Sequence, residues 1–138
     1  MNIRQINFTD EYFQEIRKIR KTVFYVEMQI PESVLFDKYD ETSDHFIFEH
    51  EHDVIGSVRL RRVENNMKLE RMAIYENFRG KNFGNDAISQ IITHYKNKKI
   101  ILDSIYNIRD FYKKSGFIEV GKIFDRVGLP HIRMELSF

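Results

Sequence analysis

The chain of 138 residues contains no cysteine. That excludes disulfides, thiolate metal sites and a cysteine nucleophile. Tryptophan is also missing, and there are only 2 prolines and 6 glycines, so no stretch reads as a proline-rich linker or a low-complexity tract. Neither sign of charge prevails. The 22 Lys+Arg and 21 Asp+Glu leave a formal net charge of +1, so no global field favours nucleic acid or an anionic membrane. No apolar run is long enough to span a bilayer, and Arg4 and Asp10 interrupt any apolar leader at the N-terminus. The expectation is a cytoplasmic protein, monomer or homodimer, with neither a membrane nor a nucleic-acid partner.

What is present suits one globular domain over 1–138, with 42% hydrophobic and 31% charged residues and an aromatic share of 14% carried by Phe and Tyr. Ile3 and Ile6 alternate with polar neighbours in a short first strand. Thr9 or Asp10 can cap a helix in which Tyr12, Phe13, Ile16, Ile19, Val23 and Phe24 recur at helical spacing, with Arg17, Lys18, Arg20 and Lys21 between them. That helix ends before Pro31. An acidic, irregular loop follows from Glu32 to Asp44. Three strands come next, carrying Phe46 and Phe48, then Val54 to Leu60, then Met67 to Ile74, with hairpin turns at Glu49–Asp53 and Glu64–Asn66. A helix from about Gly80 to Tyr95, a buried strand at Lys99–Asp103, a brief helix from Asn107 to Gly116 and a closing pair around Asp125–Pro130 complete the order β-α-β-β-β-α-β-α-β-β.

Two stretches carry chemistry. In the first, the strand Leu69-Glu70-Arg71-Met72-Ala73-Ile74 meets a turn and then Arg79-Gly80-Lys81-Asn82-Phe83-Gly84 at the start of a helix. Free N–H groups and the helix dipole make such a mouth an anion cradle. Gly80 and Gly84 permit close approach of a phosphate, Asn82 tolerates left-handed backbone, and Arg79 and Lys81 add charge. No Lys-Ser or Lys-Thr follows Gly84, which excludes a P-loop, and no repeated βαβ unit surrounds the turn, which excludes a dinucleotide fingerprint. Taken alone, the turn also reads as an ordinary surface turn and helix start.

The second stretch is Asn107-Ile108-Arg109-Asp110-Phe111-Tyr112-Lys113-Lys114-Ser115-Gly116-Phe117. Phe111 is expected in the core, with Tyr112 free to point another way. Both can equally be packing residues. His50, Glu51, His52 and Asp53 are consecutive in a turn where side chains diverge, so no metal site is expected there.

Together, Arg79 to Gly84 and Phe111-Tyr112-Lys113-Lys114-Ser115-Gly116-Phe117 resemble the pyrophosphate motif and the Phe-Tyr-x-x-x-Gly-Phe element of the GNAT superfamily of acyl-CoA N-acyltransferases. Ile19 to Gln29, with Asp37, Asp40 and His45, and Gly128-Leu129-Pro130-His131-Ile132-Arg133-Met134 are similar to its ElaA/YjcF-like branch. The resemblance spans nearly the whole chain. In it Asn82 stands where the family usually has glycine, and Met28 stands where the branch often has glutamine.

The resemblance implies an α+β three-layer fold, with a mixed, mostly antiparallel sheet of about seven strands flanked by helices and a splay between the central strands. It implies acetyl-CoA as co-substrate, no metal, and acyl transfer to the amine of a small molecule or a peptide, directly within a ternary complex. Pantetheine would pair with Met72, Ala73 and Ile74, and the pyrophosphate would sit on the amides of Arg79 to Gly84, with Phe83 and Phe111 beside them. An N–H near Met72 or Ala73 would polarise the thioester carbonyl. Tyr112 would protonate the departing thiolate, its ordinary pKa of about 10 suiting that role.

Other roles stay open. Asn107 either lines the CoA side or caps its helix. Glu70 is either a base acting through water or a carboxylate paired with Arg71 or Arg59. His131 is a second candidate base or a structural residue. Glu27 either lines the acceptor pocket or caps the first helix's end. With Asp37 and Asp40 it hints at a cationic acceptor. The rival reading is a non-catalytic acyl-CoA sensor or interaction module.

Overall fold

The computed structural model describes residues 1–137. Seven strands form one sheet in the order β1-β2-β3-β4-β5-β7-β6. They are β1 (Asn2–Ile6), β2 (Asp44–His50), β3 (Asp53–Val63), β4 (Asn66–Ile74), β5 (Ile100–Ile105), β6 (Ile118–Arg126) and β7 (Leu129–Leu136). Every neighbouring pair is antiparallel except β4 and β5. The helices are α1 (Phe13–Arg20), continued by a wider π-helical segment over Lys21–Glu27, α2 (Phe83–His94) and α3 (Arg109–Lys113).

Alternation along the strands builds three layers. Phe46, Phe48, Leu60, Leu69, Leu102 and Met134 face α2, whose Ala87, Ile88 and Ile91 lie against them. On the other face Ile6 and Ile47 pack on Phe13 and Ile16 of α1, and Ala73 packs on Ile19 and Val23. The helical spacing therefore located the buried stripe of the first helix, with two exceptions. Tyr12 is 39% exposed and lies under the Arg4 guanidinium. Arg20, expected among the polar residues, is buried and bonds to Asp40 at 3.0 Å.

The hairpin turns are shorter than the sequence suggests. Glu51 and His52 both adopt positive φ (49° and 73°), as do Val127 and Gly128 (50° and 77°), the backbone that matches the twist of a two-residue hairpin. His50 belongs to β2, where its ring packs on Phe83 at 4.6 Å.

Two irregularities open the sheet at its centre. The parallel ladder joins Met67, Lys68 and Leu69 to Ile100, Ile101 and Leu102 and stops there. Beyond it β4 continues to Ile74 beside β3, and β5 to Ile105 beside β7. Against β3 the register of β4 also slips between Ser57 and Arg59. Arg71 and Met72 then face one partner residue, and Arg71 takes φ +56°. Such a bulge bends its strand and redirects a side chain.

Candidate active site

The gap between β4 and β5 opens into a cleft of about 910 Å³. Residues from the π-helical segment, β4, the mouth of α2, β5, α3 and the β6–β7 hairpin line it.

One wall is the α2 mouth. Asn82 holds φ +67° and makes no side-chain capping bond. The first rung of the helical ladder runs from Asp86 N–H to the Asn82 carbonyl at 3.1 Å. The N–H groups of Phe83, Gly84 and Asn85 precede that rung and have no helical acceptor. They point out of the helix with its positive dipole end behind them. Gly80, at φ +75°, supplies a backbone conformation that L side chains rarely adopt. Asn85 ties the mouth to α3, its amide nitrogen donating to the Phe111 carbonyl at 3.0 Å and to Ser115 Oγ at 2.9 Å.

A second wall is the free side of β4. Tyr75 N–H donates to the Ile55 carbonyl at 2.9 Å and the Ala73 carbonyl lies against Gly56 of β3, so Ala73 turns its backbone groups to β3, not to the cleft as the sequence implied, and Ile74 by alternation turns its own toward the cleft.

The far side holds Tyr112 and His131. Tyr112 is buried, at 6% exposure, between Phe111 and Phe117, yet it contributes to the cleft lining. Burial pushes its hydroxyl above the ordinary tyrosine value, so the phenol keeps its proton at neutral pH. His131 is buried beside Phe124. Its Nδ1 lies 2.8 Å from the Leu129 carbonyl. A carbonyl only accepts, so Nδ1 carries the hydrogen and Nε2 of the neutral ring keeps its lone pair.

The floor is ionic. Four carboxylates (Asp37, Asp40, Glu70, Asp103) and seven cations (Arg20, Arg59, Arg61, Lys68, Arg71, Arg126, Arg133) form one connected network across β3, β4, β5 and β7. Arg59 is central to it, reaching Asp37 at 2.6 Å, Asp40 at 3.0 Å and Glu70 at 2.8 Å.

The sequence profile of the acetyltransferase (GNAT) domain matches residues 9–138. The chain belongs to the GNAT acetyltransferase family. YyaT of Bacillus subtilis strain 168 is 31% identical over 97% of this chain and 94% of that protein. ElaA of Escherichia coli K12 is 25% identical over 85% of this chain and 82% of its own length, and its crystal structure superimposes with a TM-score of 0.81 at 21% identity, covering 97% of both chains. A GNAT acetyltransferase from Elizabethkingia anophelis, solved with acetyl-CoA bound, superimposes with a TM-score of 0.74 at 14% identity over 99% of this chain and 97% of that one. The chain is a GNAT-type acyltransferase with the splayed seven-stranded sheet of that fold.

Against this GNAT frame, several residues sit otherwise than the sequence implied. Phe111 and Tyr112 exchange places, since Tyr112 is the more buried and Phe111 is half-buried over Gly84. Gly84 is small because of that contact. A Cβ there would meet the Phe111 ring at 2.6 Å and 2.7 Å, so helix packing accounts for the missing side chain.

Arg79 turns away from the mouth. Its Nε donates to the Ile74 carbonyl at 2.8 Å and its Nη2 to Glu27 at 2.7 Å, which takes Ile74's acceptor away from pantetheine. Lys81 is exposed and leans toward the Phe78 ring. Asn107 is exposed and lies outside the cleft lining, and the short turn it occupies, Tyr106–Ile108, has no side-chain cap.

The acidic loop is not free to bind a cation. Asp37 lies outside the cleft lining and bonds Arg59, Arg71 and the Tyr39 N–H. Asp40 is buried between Arg20 and Arg59. Glu27 lines the cleft but pairs with Arg79. Glu70 pairs with Arg59 and Arg61, not Arg71. Burial would raise its pKa, but the guanidiniums prevail and hold it at about 2, too low for useful proton affinity at neutral pH.

The sequence reading missed Asn85, Lys68, Asp103, Ser104, Lys114 and Arg126, all of which contribute to the cleft. Lys114 stands within the quoted aromatic motif. Asn85 directly follows the quoted helix mouth and reaches α3, and the rest depend on pairings between distant strands that no local pattern signals.

Proposed function

We propose that the chain transfers an acetyl group from acetyl-CoA to a primary amine, directly in a ternary complex. The uncapped mouth of α2 beside the open edge of β4 carries this reading. Free amides, a left-handed Asn82 and Gly80 suit a diphosphate, and an unpaired strand edge suits the extended amide chain of pantetheine. Lys114 in the cleft supplies a cation that Arg79 does not. Bound there, acetyl-CoA supplies an activated thioester carbonyl.

The chain's own groups divide the remaining work. The main chain at Met72 and Ile74 orients the acyl carrier and offers N–H groups for its carbonyl oxygen. Tyr112 Oη holds the proton for the sulfur that leaves. Burial raises its pKa above the ordinary value expected from sequence, so it gives up that proton less readily than a free tyrosine and acts first through the hydrogen bond it donates to the sulfur. His131 Nε2 accepts the proton of the incoming amine, since its ring is fixed by Nδ1 and faces the cleft. Glu70 and Asp103 position Lys68 and the arginines and take no proton. With no cysteine in the chain, no thioester to protein competes with direct transfer.

Calorimetric titration with acetyl-CoA and a thiol-release assay over a broad amine panel test the proposal. Saturable heat with turnover of at least one amine is the expected result. An absence of heat at high micromolar acetyl-CoA would refute it, and binding without turnover across the panel would favour a sensor.

A further inference from the structure

The ionic floor is unbalanced. Its seven cations outnumber its four carboxylates by three. Part of that excess, one net cation, reaches the cleft. Lys68, Arg71 and Arg126 line it together with only Glu70 and Asp103 from the same network. Both carboxylates are already bound. Asp103, with a side chain 3% exposed, receives Lys68 at 3.1 Å, Arg126 at 2.9 Å and Arg133 at 2.6 Å. No free carboxylate of this network is left to receive a cation.

The two outer arginines keep unused donors. Arg71 spends Nε and Nη2 on the Leu35 and Val34 carbonyls and on Asp37. Arg126 spends Nη1 on Asp103 and is half-exposed. Arg71 sits at φ +56°, and such strained backbone gathers where a side chain must be aimed. Burial, then the like charge of Arg59, hold the Arg71 pKa below its ordinary value. A guanidinium destabilised by its own surroundings is one that gains from an added anion.

The floor lies on the face of β4 and β5 away from α2, whose mouth is assigned to the acyl carrier. Resting on that assignment, we infer that the acceptor is an amine that also carries a carboxylate, with the carboxylate seated between Arg71 and Arg126 and the amine directed to His131. A guanidinium pair recognises carboxylate by bidentate, charge-assisted bonds. This reading differs from the cationic acceptor that Glu27, Asp37 and Asp40 suggested from sequence.

The test holds acetyl-CoA at saturation and compares matched acceptors: amino acids, their amides, and diamines of the same length, each by thiol release and by thermal shift in the presence of CoA. The carboxylate member of a pair should exceed its amide by roughly 10- to 100-fold in kcat/KM, the range that charge-assisted hydrogen bonds give. Arg126→Gln should bring the carboxylate-to-amide ratio of kcat/KM close to one, and a ratio kept at the wild-type value overturns the inference. Arg71→Gln should do the same where it folds.

Equal response within the pairs, preference for the amide or the diamine, or no response to any carboxylate member while acetyl-CoA still binds overturns the inference and leaves the acyl-CoA reading standing. Loss of acetyl-CoA binding itself strikes the parent reading instead.

Discussion

Replacing Gly84 with alanine probes the joint between α2 and α3. The added methyl would lie 2.6 Å and 2.7 Å from two carbons of the Phe111 ring and 3.4 Å from Ile74 Cδ1. The first two distances are about an ångström inside ordinary carbon–carbon contact. Phe111 cannot retreat freely, because its own carbonyl is bonded to Asn85 and its ring meets Tyr112 at 4.9 Å. Overpacking of this kind costs about 1–3 kcal/mol, whereas alanine gains at most about 1 kcal/mol over glycine in a helix, and less in the first turn. The balance is a loss of about 1–2 kcal/mol, read in denaturant unfolding as a lower midpoint with an unchanged slope. The displaced α3 should also move Tyr112, so turnover should fall further than acetyl-CoA affinity. Phe111→Leu in the Gly84→Ala background should recover part of the stability, a positive coupling in a double-mutant cycle. A Gly84→Ala protein as stable and as active as wild type would refute the packing argument. So would a cycle with no coupling.

Three further expectations follow from the same geometry. Tyr112→Phe should lower kcat by about 10²- to 10⁴-fold with nearly constant acetyl-CoA affinity, measured by steady-state kinetics and calorimetry; wild-type turnover would remove the tyrosine from the chemistry. Asn82→Gly should keep acetyl-CoA affinity within about twofold, because Asn82 already holds φ +67°, while Asn82→Val should destabilise by roughly 1–2 kcal/mol. Glu70 and Asp103 are each held at about 2 in the fold, against ordinary values of 4.5 and 3.8. The unfolded chain therefore binds more protons as pH falls, so the stability these groups contribute is complete above their unfolded pKa values and is lost between about pH 4.5 and 2. Glu70→Gln should flatten the acid limb of a stability-against-pH curve, and an unaltered limb would show that the pair with Arg59 and Arg61 contributes nothing to it.

The parts legible in sequence are those encoded locally. Alternation along Phe46–Phe48 and Met67–Ile74, the helical stripe of Ala87, Ile88 and Ile91, and the turn residues at Gly80, Asn82 and Gly116 depend on near neighbours, and each element stands close to its expected span. Phe111 and Tyr112 are adjacent on a helix and differ by one step of rotation, so spacing alone could not say which faces inward. Gly84 stands at the helix mouth in sequence, but the reason for a glycine there is a contact with Phe111, 27 residues further along the chain, which sequence does not display. The floor was least legible. Arg59 meets Asp37, Asp40 and Glu70 only because β3 pairs with β4 and the acidic loop folds over both, so carboxylates that looked available were already neutralised.

The two leaves of the sheet are stitched by three rungs, Met67 to Ile100, Lys68 to Ile101 and Leu69 to Leu102. Everything past that seam belongs to one leaf or the other. An extended guest laid along β4 would add stitches where the protein has none, so the tightness of the whole molecule is set partly by its cargo. Spent and loaded forms should accordingly differ in hydrogen-exchange protection at residues 70–74 and 103–105, far more than at the outer strands β1 and β6.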